Sequence, residues 1–156
     1  MIVRRLFISS EHSFVGRFGQ EARSAPMVEV DRIELVAGRG VAGDRYVQRD
    51  FGHKGQVTFF AEETWRRLQE RLARTDRGPE VFRRNVLVRD ADLLALIGQD
   101  FEVQGVRFHG AEHCKPCLWM DQAFAPGALA ALAAWSAGGL RAQVLTDGSL
   151  RAQPLD

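Results

Sequence analysis

The residues best suited to chemistry in this 156-residue chain lie together in "HGAEHCKPCLWM", residues 109–120. The stretch holds both cysteines of the chain, Cys114 and Cys117, and two of its four histidines, His109 and His113. Three chemistries use such residues at such spacing: a zinc site, a Cys-x-x-Cys redox pair, and a single thiolate that serves as ligand or nucleophile. The rest of the chain has to provide the partners that decide among them.

Zinc and redox chemistry each meet an objection in the local sequence. Four zinc ligands would crowd into one short segment, whereas a structural zinc site usually joins two separated pairs. If 106–112 is a strand, His109 and His113 share a face, yet Cys114 points away from His113. A thioredoxin-like pair needs its first cysteine at a helix N-terminus, and here a strand leads into an apolar "LWM". Since both cysteines can also be small buried side chains, the residues alone leave these alternatives open.

A glycine-rich stretch, "GRGVAGDRY" (38–46), is a second candidate. Its glycines allow a tight turn and a close approach to a ligand, and Gly43 directly precedes the opposite charges of Asp44 and Arg45. The stretch lacks the ending of a Walker loop, and no helix is expected after it as in a dinucleotide-binding motif. By itself it indicates a turn with a local ion pair.

A third candidate is "FRRN" (82–85), which leads into a strand. Adjacent arginines entering a strand point to opposite faces, so at most one is expected to face a given pocket. Asn85 is suited to capping or to binding. Lys54 and Arg141 are further isolated cations beside glycines, and a solvated basic edge explains each of them equally well.

Short β-type segments dominate the elements that must position these residues. Strands are predicted over 2–8, 27–37, 56–60, 85–88, 100–104, 106–112 and 140–146, with a tight hairpin at Gly105. Helices are predicted over 61–74 and 126–136, with a shorter helical turn over 92–97.

The strands outnumber the helices and do not alternate with them regularly. The pattern therefore predicts a mainly β, mostly antiparallel, barrel-like fold with a few inserted helices, as one domain over residues 1–156. The long polar loop 9–26 is typical of a lid, a binding loop or an interface.

Bulk properties exclude several classes of partner. A net charge of +1 argues against wholesale nucleic-acid binding. The longest apolar stretch, "FAPGALAALAAW", is broken by proline and glycine and is shorter than the roughly 20 residues of a spanning helix. Two arginines inside the first apolar run argue against a secretory leader. We therefore expect a soluble, cytoplasmic protein with reduced cysteines and no membrane partner.

Six motifs in order give a further clue: "GRGVAGDRY", "GHKGQVTFF", "FRRNVLV", "LIGQDFEVQGVRF", "CKPC" and "GGLRAQVLTDG". Together, over about residues 28 to 150, they resemble the MOSC domain, named for the C-terminal domain of molybdenum-cofactor sulfurase, and in particular its small stand-alone bacterial members. The resemblance implies a β-barrel-rich fold that binds the molybdenum cofactor (molybdopterin). It also implies a cysteine that ligates molybdenum or carries sulfur, and Cys117 of "KPC" is the match, with Cys114 a bystander or auxiliary thiol.

The resemblance also implies roles for the scattered cations. The cofactor carries a phosphate at one end and a soft metal at the other, so arginines suit the first and a thiolate suits the second. Arg83 and Asn85 match a family motif near the pterin, and Asp44 and Arg45 match its glycine-rich turn. The expected cofactor-binding residues are Gly43, Arg45, Lys54, Arg83, Asn85 and Arg141, and the expected catalytic residues are Cys117, also the metal ligand, with His53 and Asp44 as proton donors or acceptors.

Relatives such as the mitochondrial amidoxime-reducing component imply a function. The expected activity is reduction of small N-hydroxylated or related compounds, with electrons from separate electron-transfer proteins. An alternative is a carrier in which Cys117 holds a persulfide or the cofactor and passes it to an acceptor protein. A second alternative is a zinc-binding structural module.

Overall fold

The computed structural model describes residues 1–11 and 25–153. The strands in this part of the chain are β1 Ile2–Ile8, β2 Val28–Val30, β3 Arg32–Val36, β4 Gly40–Val41, β5 Val57–Ala61, β6 Val86–Arg89, β7 Asp100–Val103, β8 Val106–His113, β9 Leu140–Val144 and β10 Gly148–Arg151. The α-helices are α1 Glu62–Arg71, α2 Trp119–Ala123 and α3 Ala128–Ala134. Two short 3₁₀ helices cover Arg45–Gln48 and Pro79–Phe82.

The strands form one large and one small sheet. The large sheet has seven strands in the order β2-β1-β6-β5-β9-β8-β7, and the small sheet has the order β10-β3-β4. Neighbours are antiparallel in both sheets except β5 and β6, which are parallel. The parallel pair arises because α1 carries the chain from the end of β5 back to the start of β6, the crossover that parallel strands require.

The large sheet is covered on both faces. Along β1 and β5, Leu6 and Phe59 face a core shared with the small sheet, while their neighbours Phe7 and Phe60 face a second core shared with the helices. Since successive strand residues point to opposite sides, continuous apolar runs are what such a doubly covered strand needs. The helices consequently lie on one side of the large sheet and the small sheet on the other.

The prediction of a mainly β fold with a few helices is confirmed. Closure into a barrel stays a prediction, because within residues 1–11 and 25–153 the end strands β2 and β7 of the large sheet do not pair with each other. Most of the predicted loop 9–26 lies outside the described residues, so its proposed roles also stay predictions.

Among the predictions for single elements, some are confirmed and others are wrong. The hairpin at Gly105 is present, with positive φ at both Gln104 (51°) and Gly105 (82°), as a type I′ turn requires. The stretch 92–97, for which a helical turn was expected, forms no helix. It contains a hydrogen-bonded turn in which Ile97 N donates to Leu94 O at 3.2 Å. The strands β4 and β10 and the helix α2 were not predicted, because each is five residues or shorter and has no clear periodicity of its own.

Across the described ranges, no helix has both the length and the apolar character to cross a bilayer.

Candidate active site

A pocket of about 300 Å³ opens on the helix side of the large sheet. It collects five cationic side chains and both cysteines, and none of the described residues that line it is acidic. Its lining consists of Arg45, Tyr46, Thr58, Phe82, Arg83, Arg84, Cys114, Lys115, Cys117, Trp119, Met120 and Arg141. The predicted residues Arg45, Arg83, Arg141 and Cys117 are thus brought together from four separate parts of the chain.

The floor of the pocket comes from β5 and β9. Thr58 and Arg141 are paired across these strands, so their side chains point to the same side of the sheet. Arg141 Nη1 donates to Glu112 Oε1 at 3.0 Å. Lys54 is largely exposed and lies on the far side of that carboxylate, with its Nζ 3.9 Å from Glu112 Oε2. Lys54 pairs with Glu112 but is not among the described residues that line the pocket.

A bulge in β8 places Glu112 opposite Arg141. The β8–β9 register pairs Gly110 with Ala142 and then Glu112 with Arg141, so Ala111 is an extra residue on β8. An extra residue reverses the alternation of side chains beyond it. Without the bulge, Ala111 rather than Glu112 would face Arg141.

The same bulge overturns the expectation that His109 and His113 share a face. His109 lies before the bulge and is paired through Nδ1 with Asp100 Oδ1 at 2.7 Å. His113 lies after it, and its Nε2 accepts a hydrogen bond from Gly138 N at 3.1 Å. No three His, Cys, Asp or Glu residues in the described part of the chain lie close enough together to hold a metal ion. The geometry therefore gives no support to a zinc site built from this segment.

Arg83 is a buried cation at the inner wall. It ends the 3₁₀ helix Pro79–Phe82 with a left-handed backbone (φ 58°), and its guanidinium donates to Ala25 O and, at 2.8 Å, to Glu11 O. Burial, and then the positive charge of Arg45, lower the pKa of Arg83 to about 10. It thus remains charged at neutral pH, and its contacts hold two separate stretches of backbone to the pocket wall.

The expectation that at most one arginine of the "FRRN" motif faces a given pocket is wrong. Both Arg83 and Arg84 line the same pocket. The rule of opposite faces applies to extended backbone, but both residues precede β6 and Arg83 is left-handed. Arg84 Nε donates to Gly138 O at 3.0 Å, which ties the arginine to the turn before β9.

Asp44 and Arg45 form the ion pair expected from the glycine-rich stretch. The Asp44 carboxylate, 1% exposed as a residue, accepts from Ser9 N at 3.0 Å and Tyr46 N at 3.3 Å, and it caps the 3₁₀ helix that follows. Arg45 Nη1 lies 3.2 Å from Asp44 Oδ1, and its Nη2 donates to Arg83 O at 3.1 Å. Gly43 supplies the preceding turn with φ 81° and does not line the pocket.

Asn85 and His53 lie outside the pocket lining. Asn85 is fully buried, and its Oδ1 accepts from Thr58 N at 3.1 Å and Thr58 Oγ1 at 3.0 Å. His53 Nε2 lies 3.0 Å from Tyr46 O, and burial is the main reason that the pKa of His53 is lowered. The roles assigned to Asn85, His53 and Asp44 stay predictions, and the geometry gives each a structural partner instead of access to the pocket.

The two cysteines differ in exposure. Both are free thiols that line the pocket, but Cys114 is only 4% exposed whereas Cys117 is exposed. Cys114 N donates to Gly139 O at 2.8 Å, and Cys117 O accepts from Met120 N at 2.9 Å. Helix α2 begins two residues after Cys117, so a helix does follow the cysteines, contrary to expectation.

Several lining residues were not singled out from the sequence. Lys115, Arg84 and Tyr46 had a usable signal, since each adjoins a residue that was singled out. Trp119 had none, because its position depends on an element distant in sequence: Trp119 Nε1 donates to Val81 O at 2.8 Å.

Solved structures show how this architecture compares with others. YuaD from Bacillus subtilis has a TM-score of 0.70 and 17% identity, and the match covers 96% of this chain and 90% of YuaD. YiiM from Geobacillus stearothermophilus has a TM-score of 0.69 and 12% identity, covering 96% of this chain and 70% of that one. YiiM from Escherichia coli has a TM-score of 0.61 and 14% identity, covering 94% of this chain and 65% of that one. At these identities the likeness shows the fold, and no match is found among curated proteins.

The sequence itself matches a family model. The match runs over residues 47–153 and is to the MOSC domain. It includes β5, β6, β8 and β9, together with Arg83, Arg84, both cysteines and Arg141. Since it covers more than half of the chain, the chain belongs to the MOSC domain family.

Proposed function

We propose that the pocket binds the molybdenum cofactor with Cys117 as the protein ligand to molybdenum, and that the chain is a reductase component acting on small N-hydroxylated or related compounds. The observation that carries this proposal is the meeting of an exposed thiol with five cations in one pocket. The MOSC family is generally associated with this cofactor, and the donor set here suits both of its ends.

The charge of the pocket fits a phosphate group. Arg45, Arg83, Arg84, Lys115 and Arg141 all line it, and the two carboxylates nearest to them, Asp44 and Glu112, lie behind Arg45 and Arg141 and outside the lining. Guanidinium groups bind phosphate through charge-assisted hydrogen bonds. The pocket therefore carries an excess of positive charge for an anionic ligand.

The remaining walls fit the other parts of the cofactor. A thiolate is the protein ligand that a soft metal site prefers, and Cys117 is the accessible thiol. Trp119 supplies apolar surface for a flat ring system, in a wall completed by the buried Phe82 and Met120. A volume of about 300 Å³ lies at the lower end of the range of about 300–1,000 Å³ typical of ligand pockets. When bound, the cofactor would supply a redox-active metal for reduction of an N–O compound.

The chain's own residues would bind the cofactor and orient it. Arg45 and Arg141 are held by carboxylates, which fixes their guanidinium groups before a ligand arrives and lowers the entropic cost of binding. Phe82 and Met120, fully buried at the pocket wall, keep water from the inner end. Electrons would come from separate electron-transfer proteins, which stay part of the proposal.

One observation favours a second function, that of a carrier. Cys117 is exposed, so an acceptor protein can reach a persulfide or a cofactor held there. The two functions differ in turnover: a reductase consumes a donor such as reduced viologen dye in the presence of benzamidoxime, whereas a carrier does not.

Metal analysis tests the binding proposal. Protein would be made in a host that synthesises the cofactor, and molybdenum, zinc and pterin would be measured in the wild type, Cys117→Ser, Arg141→Ala and the control Arg107→Ala. Arg107 is an exposed arginine that pairs with Asp100, outside the pocket. We expect near-stoichiometric molybdenum and pterin in the wild type and control, loss of molybdenum in Cys117→Ser, and reduced pterin in Arg141→Ala.

Two outcomes would contradict the proposal. The binding proposal is wrong if the wild type contains no molybdenum and no pterin while another enzyme of the same host proves that the cofactor was supplied. Equal molybdenum in Cys117→Ser would remove Cys117 as the ligand. Stoichiometric zinc in the wild type that is lost both in Cys117→Ser and in a matched Cys114→Ser variant would restore the zinc alternative.

A further inference from the structure

We propose that Cys114 and Cys117 form a thiol–disulfide exchange pair, in which Cys117 attacks the disulfide of a small thiol compound and Cys114 resolves the resulting mixed disulfide. This activity goes beyond the proposed function and does not need the cofactor. Its product, a Cys114–Cys117 disulfide, removes the thiolate that the proposed function requires, so it would also make cofactor binding responsive to oxidation.

Shared location is the first support for this pair. Both cysteines are free, they are three residues apart, and both line one pocket of about 300 Å³. The spacing is that of Cys-x-x-Cys exchange sites, in which two neighbouring thiols close a small disulfide loop. The unequal exposure of the two thiols then sets the order of reaction. A disulfide compound can reach the exposed Cys117, while Cys114 at 4% exposure is accessible mainly from within the pocket.

Arg141 supports a resolving role for Cys114. Arg141 and Cys114 line the same pocket. Burial lowers the pKa of Arg141, but its interactions with Cys114 and Glu112 raise it overall. The guanidinium is therefore placed in the pocket where it can stabilise negative charge on the attacking sulfur. Lys115 lines the same pocket and adds positive charge beside the leaving thiolate.

The segment from Cys114 to Cys117 is held by hydrogen bonds at both ends. Cys114 N is bound to Gly139 O at 2.8 Å, and Cys117 O is bound to Met120 N at 2.9 Å. A Cβ at Gly138 would overlap Cys114 O and lie 2.8 Å from Pro116 Cδ, so the segment packs closely on that glycine. These contacts keep both side chains at the pocket.

The reaction has two balanced steps. In the first, the Cys117 thiolate attacks one sulfur of R–S–S–R. A new disulfide bond forms between Cys117 Sγ and that sulfur, the S–S bond of the compound breaks, and one RS⁻ leaves. In the second, the Cys114 thiolate attacks the Cys117 sulfur, the protein disulfide forms, and a second RS⁻ leaves. The two protons of the protein thiols end on the two RS⁻ groups, so the compound is reduced by two electrons and the protein is oxidised by two.

The test uses cofactor-free protein, glutathione disulfide as the probe, and intact mass spectrometry with thiol titration. We expect the wild type to lose two hydrogens in mass and two titratable thiols, without a stable glutathione adduct. Cys114→Ser should accumulate one glutathione adduct, because nothing resolves it. Cys117→Ser should react at least ten-fold more slowly than Cys114→Ser. Dithiothreitol should restore the wild type in full.

Three results would overturn the proposal: a stable adduct on the wild type, a disulfide-linked dimer as its main product, or equal reaction of both single variants. Thermal unfolding of each variant confirms that the fold is kept, and the conservative pair Cys114→Ala and Cys117→Ala repeats the comparison if a serine variant fails to fold. Because cofactor-free protein is used, the result is independent of the molybdenum measurement. Failure of one therefore does not imply failure of the other.

Discussion

Replacement of Asn85 by alanine should strongly destabilise the protein, although the family resemblance places this residue at the cofactor. Asn85 is fully buried. Its Oδ1 accepts two hydrogen bonds from Thr58, at 3.1 and 3.0 Å, and its Nδ2 donates to Phe7 O at 3.3 Å. One amide therefore joins β6 to β5 and extends to β1, across the centre of the large sheet.

The expected cost follows from these three bonds. Each buried partner left unsatisfied costs about 1–3 kcal/mol, whereas the bond from the backbone Asn85 N to Thr58 Oγ1 at 3.0 Å survives the substitution. We therefore expect Asn85→Ala to lower the free energy of unfolding by about 3–5 kcal/mol. Since domains are stable by only about 5–15 kcal/mol, that loss is a large share of the total.

Urea denaturation of cofactor-free protein, followed by tryptophan fluorescence, measures this loss. Gln104→Asn is the matched control: Gln104 also makes two amide hydrogen bonds, both to Arg151, but it is exposed, so water replaces them. The control should lie within about 1 kcal/mol of the wild type. An Asn85→Ala protein as stable as the control, yet unable to retain molybdenum, would refute the structural role and restore the cofactor-binding one.

Two further predictions concern charged groups. Glu62→Gln should cost about 2–3 kcal/mol at neutral pH, because Glu62, 4% exposed, accepts hydrogen bonds from Arg4, Arg66 and Arg89, and glutamine removes the negative charge that stabilises these three cations. Burial raises the pKa of Glu62, but hydrogen bonds from arginines lower it below 4.5 overall, so this stabilisation is present above that pH and is lost as the pH falls through the folded-state pKa. Urea midpoints from pH 7 to 3 should converge for the two proteins, and a constant gap would contradict the assignment. His113→Gln should flatten the pH dependence of stability below about 6.5: burial, then nearby positive charges, lower the pKa of His113, so the unfolded chain takes up the proton first and the wild type loses stability as the pH falls through that window. Because glutamine can still accept from Gly138 N, stability at pH 8 should change little, and an unchanged slope in the variant would show that His113 does not titrate as proposed.

Local patterns were enough for the elements that carry the fold. Strand β1 was predicted at its observed bounds, and β5 to β9 within two residues, because apolar runs bounded by glycine and charged residues have a local cause in side-chain alternation. The hairpin at Gly105 was predictable for the same reason, since positive φ is a property of the turn residues themselves. The thiol most accessible in the pocket, Cys117, was also picked from the motif that it belongs to.

Register and burial were decided only by the tertiary structure. No local sequence pattern predicts the bulge at Ala111. The bulge nevertheless places His109 and His113 on opposite faces of β8 and pairs Glu112 with Arg141. The left-handed Arg83 and its neighbour Arg84 face one pocket only because the chain is turning there, and a strand rule applied to them gave the wrong answer. Asn85 shows the same limit, since only the packed sheet reveals that its amide is used by Thr58 and Phe7.

The sequence by itself determined which residue types were available: two thiols, a set of arginines and the strands to carry them. The tertiary structure decided which of them meet, because a pocket is made by segments distant in the chain whose distances follow from register, bulges and packing. Arg45, Arg83, Cys117 and Arg141 became one cationic pocket with an accessible thiol. Asp44 and Asn85 were instead enclosed by the fold, where their hydrogen bonds hold it together.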